Sequence, residues 1–352
     1  MKQSLEVNNI VVIFGASGFI GTYLVDRLVE DGFYVIATDI SRKGEAYYKK
    51  QGITFVRLDI TKEKEFEALP KTGVRAVVHV ACLQPANVSE QKYDPKEYMK
   101  VNALGTINIL EYCKRNMAPK ILYTSSHLEV DECLWETGRY IREDAPRAIS
   151  YTGEYAMYII SQNVAIDCVA HYSQKHGMQG IVCRVPPVYG YGPHTEIFKN
   201  GKQVKTGFKI FIENAIAGKP LEVWGDCKTG RDIIYVKDVV SAISMALKSD
   251  KVTGLYNIAS GRPLSLEQEA KGIIKVFSSR AHLSEIRYRP DRPNSIKPFL
   301  YDISKAKKDL GWSPQYSFEE MLLDYKKEMQ SARFDFLLKK GEQIVYQKEE
   351  DK

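Results

Sequence analysis

Short continuous apolar runs, rich in Val and Ile, recur through the first half of the chain at 10–14, 34–38, 54–58, 76–80 and 121–124. Runs of that length without polar alternation fit strands buried on both faces of a parallel sheet. Between them the apolar positions take helical spacing, most clearly over 19–30 and 95–115. Alternating strands and helices imply right-handed βαβ crossovers, so the pattern predicts an α/β fold built on a doubly wound parallel sheet. After about residue 180 the pattern loosens. A strand at 180–185 leads into a turn-rich stretch at 186–193, with helices expected at 207–217, 236–247 and 266–277 and a strand at 255–258. Residues 225–230 read as a hinge, 289–298 with its three prolines as loop, and the charge-mixed 328–352 as a peripheral helix with a frayed tail.

Composition narrows the classes. Lys and Arg number 50 against 44 Asp and Glu, a net charge of +6 over 352 residues. That excess is too small for a dedicated nucleic-acid binder. A 44% hydrophobic content excludes a disordered chain. No apolar run approaches the ~18 residues of a membrane span, so no membrane association is expected. The first residues offer only Lys2 and the 10–14 run, without a small-residue cleavage pattern, so no secretory leader is expected either. Cys82, Cys113, Cys133, Cys168, Cys183 and Cys227 lie far apart, without C-x-x-C spacing. Such a distribution predicts reduced, mostly buried thiols in a cytoplasmic protein. None of His79, His127, His171, His176, His194 and His282 makes a ligand pair with a nearby cysteine or carboxylate, and no metal site is expected.

Chemistry enters where the first strand runs into Gly15-Ala16-Ser17-Gly18-Phe19-Ile20-Gly21 and a helix follows. In this G-x-x-G-x-x-G junction Gly15 permits the tight turn and Gly18 lets the backbone approach a pyrophosphate. Gly21 lets helix and strand pack closely, and the helix N-terminus offers N–H groups and a positive dipole end. Asp39 closes the second strand. A carboxylate there hydrogen-bonds a ribose 2′-hydroxyl and repels a 2′-phosphate, which favours NAD over NADP; the nearby Arg42 blunts that preference.

These residues, with Asp59-Ile60, Asn102 with Gly105-Thr106, and Thr124-Ser125-Ser126, resemble the extended short-chain dehydrogenases/reductases. The resemblance continues at 184–193 (RVPPVYGYGP), 231–238 (RDIIYVKD), 256–261 (YNIASG) and 302–314 (DISKAKKDLGWSP), where it is to the nucleotide-sugar epimerase/dehydratase branch. It spans about residues 9–330. It implies a Rossmann-like NAD-binding domain over 1–180 and a smaller mixed substrate-binding part over 181–330, some of whose elements return to the sheet. A C-terminal tail over 331–352 remains. The cofactor contacts it implies are Gly15, Ser17, Gly18, Phe19, Ile20, Gly21, Asp39, Ile40, Asp59, Ile60, Val80, Ala81, Cys82, Asn102, Thr124, Tyr158 and Gln162. Ser126, Tyr158 and Gln162 fall in the catalytic positions. Ser126, His127, Pro187, Arg231 and Arg292 fall against a nucleotide-diphosphate sugar, the two arginines clamping the diphosphate. The helices at 95–115 and 158–176 resemble those that form a four-helix bundle in homodimers of the family.

The sequence departs from the family at its working pair. Tyr-x-x-x-Lys reads Tyr158-Ile159-Ile160-Ser161-Gln162, so the lysine is replaced by glutamine. A free phenol has a pKa of about 10 and needs help to accept a proton near neutrality. A Gln amide can bond the nicotinamide ribose but brings no charge. The usual Val-Tyr-Gly is replaced by Glu129-Val130-Asp131, and Pro187 stands where the family commonly has an asparagine. The Asp-Glu pair of the 4,6-dehydratases falls on His127 and Leu128, which does not support that chemistry. His127 and, more weakly, Glu129 are candidate substitute acid/base groups.

The expected function is an NAD-dependent nucleotide-sugar epimerase acting by transient hydride transfer at a sugar hydroxyl carbon. Two alternatives stay open: a catalytically impaired NAD- or nucleotide-sugar-binding protein of the same fold, and an NAD(P)-dependent reductase of a non-nucleotide substrate. Residues 287–308 carry seven Lys and Arg against two Asp, nearly the whole net charge, and lie where the resemblance places a diphosphate-binding lid, which predicts an anionic substrate there.

Overall fold

The structure, a computed structural model, describes residues 9–88, 92–130, 140–153, 155–192, 196–199, 202–294, 297–331 and 333–338. Its centre is a seven-stranded sheet. The strands are β1 (Ile10–Phe14), β2 (Tyr34–Asp39), β3 (Thr54–Arg57), β4 (Val74–His79), β5 (Lys120–Ser126), β6 (Gln179–Val185) and β7 (Gly254–Asn257). They run parallel in the order β7-β6-β5-β4-β1-β2-β3. The order reverses between β1 and β4, and in open α/β sheets the crevice above that point is where ligands bind. The Rossmann-like doubly wound fold read from the strand pattern is the one observed, with strand ends displaced by only one or two residues.

The unbroken apolar runs follow from burial on both faces. Val11, Ile13, Ala37, Val78 and Ile181 face one core, and Val12, Phe14, Val77, Ile121 and Tyr123 the other. Helix α1 (Phe19–Glu30) covers the first face, while α2 (Gly105–Arg115) and α3 (Ala156–His176) cover the second. The second half of the chain adds α4 (Gly207–Ile216), α5 (Val236–Lys248), α6 (Leu266–Phe277) and α7 (Phe318–Ser331) to the first core. Phe211, Ile243, Ile273 and Tyr325 are the buried contacts they supply.

Four local expectations are corrected. The helix at 95–115 is broken by a widened π-type turn, Met99–Leu104, which carries the buried Asn102. Apolar spacing does not reveal such a turn because helical periodicity resumes on both sides of it. The 225–230 segment is a held turn, not a hinge. Asp226 accepts from the Lys228 and Thr229 N–H groups, and Asn294 donates to its carbonyl at 2.8 Å. Arg289 ends a strand, Ile286–Arg289, paired with Leu221–Trp224, so the proline-rich loop begins after it; residues 295–296 lie outside the described residues. The last helix starts at Phe318, ten residues before the expected one, because Met321, Leu322, Tyr325 and Met329 form an apolar stripe. A short turn at Asp335–Leu337 follows, and the expected frayed tail beyond 338 lies outside the described residues, as do Cys133 and His194.

The carboxyl ends of β5, β6 and β7 are tied by a buried ion pair. Arg184 Nε donates to Glu129 Oε1, both side chains 2% exposed. Arg184 Nη1 also donates to Asn257 Oδ1 and to the Arg142 carbonyl, each at 3.2 Å. Asn257 Nδ2 in turn donates to the Ile141 and Asp302 carbonyls. Glu129 is therefore committed to holding strands together and is no free acid or base. Removing one partner of such a pair strands the other charge, so Glu129→Ala should cost about 3–5 kcal/mol, whereas the joint replacement Glu129→Leu/Arg184→Met should cost less than either single change. Urea unfolding of the three variants measures this; single losses below about 1 kcal/mol would exclude the pair as the tie.

Candidate active site

The turn after β1 is shaped by missing side chains. Gly15 takes φ +92°, and a Cβ there would lie 2.6 Å from the Ala81 nitrogen. A Cβ on Gly21 would lie 2.0 Å from the Gly15 carbonyl oxygen. Gly18 differs: a Cβ would meet only the Gly15 oxygen, at 3.2 Å, with open space otherwise. Gly18 is also the N-cap of α1, and no side chain caps that helix end. Open space before an uncapped helix N-terminus fits a pyrophosphate.

Asp39 lies beside this opening. Its Oδ2 accepts from the Ser17 N–H at 3.0 Å and its Oδ1 from the Ser41 N–H at 2.8 Å. Burial pushes its carboxyl above the ordinary value against the pull of those bonds. Ile40, next in sequence, is 59% exposed. Phe19 turns its ring into the core, where a Cβ on Gly190 would come within 2.9 Å of it, so at this position only the backbone faces the opening. Ile20 packs against the same core.

On the β3 and β4 side, Asp59 accepts from the Thr61 N–H and hydroxyl, and the Ile60 side chain fills the space left by Gly105. Val80 N–H donates to the Phe14 carbonyl at 2.9 Å, which sets Ala81 against Gly15. Cys82 follows, its thiol raised to about 11 by burial. Asn102 fixes the segment beyond it. Its Oδ1 accepts from the Leu83 N–H at 2.7 Å, and its Nδ2 donates to the Leu83 carbonyl and to Ser161 Oγ on α3.

At the carboxyl end of β5, Thr124 and Ser126 are partly exposed. The Ser126 hydroxyl accepts from the Leu128 N–H at 3.3 Å and faces the Tyr158 phenol near the start of α3. Burial raises the Tyr158 phenol above its ordinary value, the Cys82 thiol adds to the rise, and the Ser126 hydroxyl opposes it. One turn along α3, Gln162 Oε1 accepts from the buried Tyr123 hydroxyl. Sequence brings Ser126, Tyr158 and Gln162 into view through family spacing. Tyr123 was missed, because an apolar-strand tyrosine gives no sign of where its hydroxyl ends.

The substrate-side residues form a second group. The His127 ring stacks on Phe299 at 5.4 Å, and burial, with Arg231 adding to it, holds its pKa down to about 3. Held so, it is neutral at physiological pH and a weak base. Arg231 lies beside the Tyr189 hydroxyl, which donates to Glu269 Oε2 at 3.3 Å. Burial pushes Glu269 up to about 7. The Pro187 carbonyl accepts from the Ile234 N–H at 3.1 Å. Arg292 lies over the Trp224 ring at 5.6 Å. Much of the 287–308 charge is already matched. Arg287 pairs with Glu285, Arg289 with Asp291 and Glu222, and Lys305 donates to the Leu255 carbonyl. A cavity of about 520 Å³ between α1, α5 and the C-terminal segment is lined by none of the predicted site residues. Among the described residues no group of His, Cys, Asp and Glu is arranged to hold a metal, and no helix is long and apolar enough to cross a membrane.

The profile of the NAD dependent epimerase/dehydratase family matches residues 11–259, more than half of the chain. The chain belongs to that family. UDP-glucuronic acid decarboxylase 6 of Arabidopsis thaliana is 28% identical over 328 residues, covering 91% of this chain and 89% of that protein. The UDP-glucose 4-epimerase of Thermotoga maritima, solved with UDP-glucose, is similar with a TM-score of 0.73 and 23% identity over 92% of this chain and 99% of that one. The Thermus thermophilus UDP-glucose 4-epimerase in complex with NAD gives 0.71 at 23% identity, with the same coverage. These two structural likenesses are of fold. Within a family named for NAD, the glycine turn, the opening before Gly18 and the Asp39 carboxylate fit that cofactor.

The Tyr123–Gln162 bond supplies a test of its own. Tyr123→Phe leaves the Gln162 carbonyl oxygen buried without its donor and should cost about 1–3 kcal/mol, while Tyr123→Phe/Gln162→Leu removes both partners and should recover most of that loss. A double-mutant cycle by urea unfolding reads the coupling; additive losses would show that the bond does not contribute.

Proposed function

We propose that the protein is an NAD-dependent enzyme that oxidises a hydroxyl carbon of a nucleotide-diphosphate sugar and then reduces it again, with epimerisation as the outcome. The observation that carries the reading is that the Ser126 hydroxyl stands near enough to the Tyr158 phenol to lower its pKa at the carboxyl end of β5, in a fold whose β1–α1 turn fits a dinucleotide. When bound, NAD supplies the acceptor and later the donor of a hydride at that carbon. Tyr158 takes the hydroxyl proton, and Ser126 orients the hydroxyl toward it. Gln162, turned by Tyr123, presents its amide to the ribose. Asp39 receives the ribose hydroxyls, while Ile40, Asp59 and Ile60 border the adenine. Arg231 and Arg292 hold the diphosphate, with His127 and Pro187 beside the sugar. In this scheme residues 1–180 carry the cofactor and 181–330 the substrate. Pairing of α2 and α3 between two copies makes a cytoplasmic homodimer.

The same oxidation has a second outcome on a uronic acid. A ketone formed β to a carboxylate releases carbon dioxide without further catalysis, so sugar identity decides between inversion and decarboxylation. The likeness to a UDP-glucuronic acid decarboxylase supports including that substrate.

Loss of the lysine sets the pH dependence. Tyr158 must lose its proton to act, and burial raises its pKa, so turnover rises with pH. An ammonium ~4 Å away contributes about 1 kcal/mol in water and ~4 kcal/mol at an effective dielectric of 20. Gln162→Lys should therefore move the acid limb of the pH–rate profile down by about 1–3 units. An unchanged profile would show that Tyr158 is not the proton acceptor. The function itself is tested by incubating the purified protein with UDP-, GDP-, CDP- and dTDP-sugars, uronic acids included. Isomerised or decarboxylated sugar that disappears in Tyr158→Phe supports the reading. Tight sugar-nucleotide binding without product at any pH supports the alternative that Gln162 favours, a non-catalytic binding protein.

A further inference from the structure

The segment after α7 lies beyond the family match, yet it is anchored to the cofactor side of the sheet. Arg333 Nη2 donates to Asp26 Oδ2 on α1. Its Nε donates to the Tyr47 hydroxyl at 3.3 Å, and the same hydroxyl donates to Asp26 Oδ2 at 2.9 Å. Phe336 stacks on the Tyr47 ring at 4.6 Å and 23°. Phe334 is fully buried, its ring 4.4 Å from Tyr23.

Tyr47 lies on a short helix, Glu45–Lys50, that closes the loop following Asp39, and the two are seated directly on the glycine turn. The neighbouring Tyr48 is fully buried and donates to the Ala16 carbonyl inside G-x-x-G-x-x-G. Gly44 has no room for a side chain: a Cβ would lie 2.7 Å from Ser17 Oγ and 2.6 Å from the Tyr48 ring. Ser41, at the start of the loop, gives its N–H to Asp39, which holds Ser17 with its other oxygen. Residues 41–48 are thus held between the glycine turn on one side and Arg333 and Phe336 on the other.

We propose that Arg333, Phe334 and Phe336 form a strap from the far end of the chain that positions the 41–48 segment, and through it Asp39 and the glycine turn, so that NAD is retained by its adenosine half. The strap rests on the NAD-binding role proposed above. Its residues act through Tyr47 and Tyr48, so they are positioning residues and take no part in the proton step. A reaction that oxidises and then reduces the same carbon consumes no NAD, and a cofactor held between turnovers suits it.

The test compares full-length wild type with Phe336→Ala, Arg333→Ala and Arg333→Lys. The NAD content after purification, the NAD dissociation rate and the melting temperature of the NAD-free proteins are measured. Phe336→Ala and Arg333→Ala should each release NAD roughly tenfold faster, the loss expected for one aromatic or charge-assisted contact. KM for added NAD should rise while kcat at saturating NAD stays unchanged, and Arg333→Lys should recover part of the retention. If Arg333→Ala does not fold, Phe336→Ala, which removes an incompletely buried ring, decides the question. Variants that keep NAD as long as wild type, whatever their melting temperature, overturn the strap and leave the cofactor reading standing. A folded wild type that takes up no NAD at any concentration overturns the cofactor reading and the strap with it.

Discussion

Where the backbone of the β1–α1 turn meets the exit of β4, the approach leaves no space for even a methyl group on Gly15, and the start of α1 folds back just as closely on Gly21. The rest of the site depends on this contact. It aims the uncapped end of α1 at the crevice where strand order reverses. It also brings Ser17 within reach of Asp39, and Tyr48 onto the Ala16 carbonyl. A dinucleotide site is therefore built mainly from backbone, and side chains enter as wedges around it. One of these, Phe19, points away from the opening and packs against the 188–192 segment, so the turn is fixed to the second half of the chain as well as to the sheet.

The reacting end is built differently, from buried hydroxyls and an amide in place of a cation. Tyr158 and Ser126 stand near each other at the end of β5, and Tyr123 donates to the Gln162 amide oxygen. An amide orients as well as an ammonium does but adds no field, and burial without a charge moves a phenol the wrong way for proton acceptance. Two other groups that sequence offers as substitutes are occupied. Glu129 is paired with Arg184, and His127 is stacked on Phe299 and neutral. In the proposed scheme Tyr158 takes the proton, and its raised pKa then favours high pH.

Much of this was legible in the chain because parallel strands buried on both faces advertise themselves as unbroken apolar runs, and because a glycine turn between strand and helix has a fixed spacing. Ser126, Tyr158 and Gln162 came into view through the family resemblance. What could not be read is long-range pairing. Nothing near Gln162 in sequence announces Tyr123, nothing near Arg231 announces Glu269, and Phe299 meets His127 across 172 positions. The internal partners of the basic stretch at 287–308 could not be read for a related reason, since Glu222, Glu285 and the Leu255 carbonyl lie outside it or become partners only through folding. The C-terminal segment, charge-mixed and without periodicity, gave no hint that Phe334 is core.

The central claim is that Tyr158, unaided by a lysine, takes the proton while a sugar carbon is oxidised by bound NAD. Single-turnover absorbance of the reduced nicotinamide, followed after mixing the NAD-loaded protein with a tightly bound nucleotide sugar, tests it most directly. The account predicts a signal that grows as pH is raised, is absent in Tyr158→Phe and extends to lower pH in Gln162→Lys. A signal that does not depend on pH or on Tyr158, or none at any pH with every nucleotide sugar that binds, would contradict it.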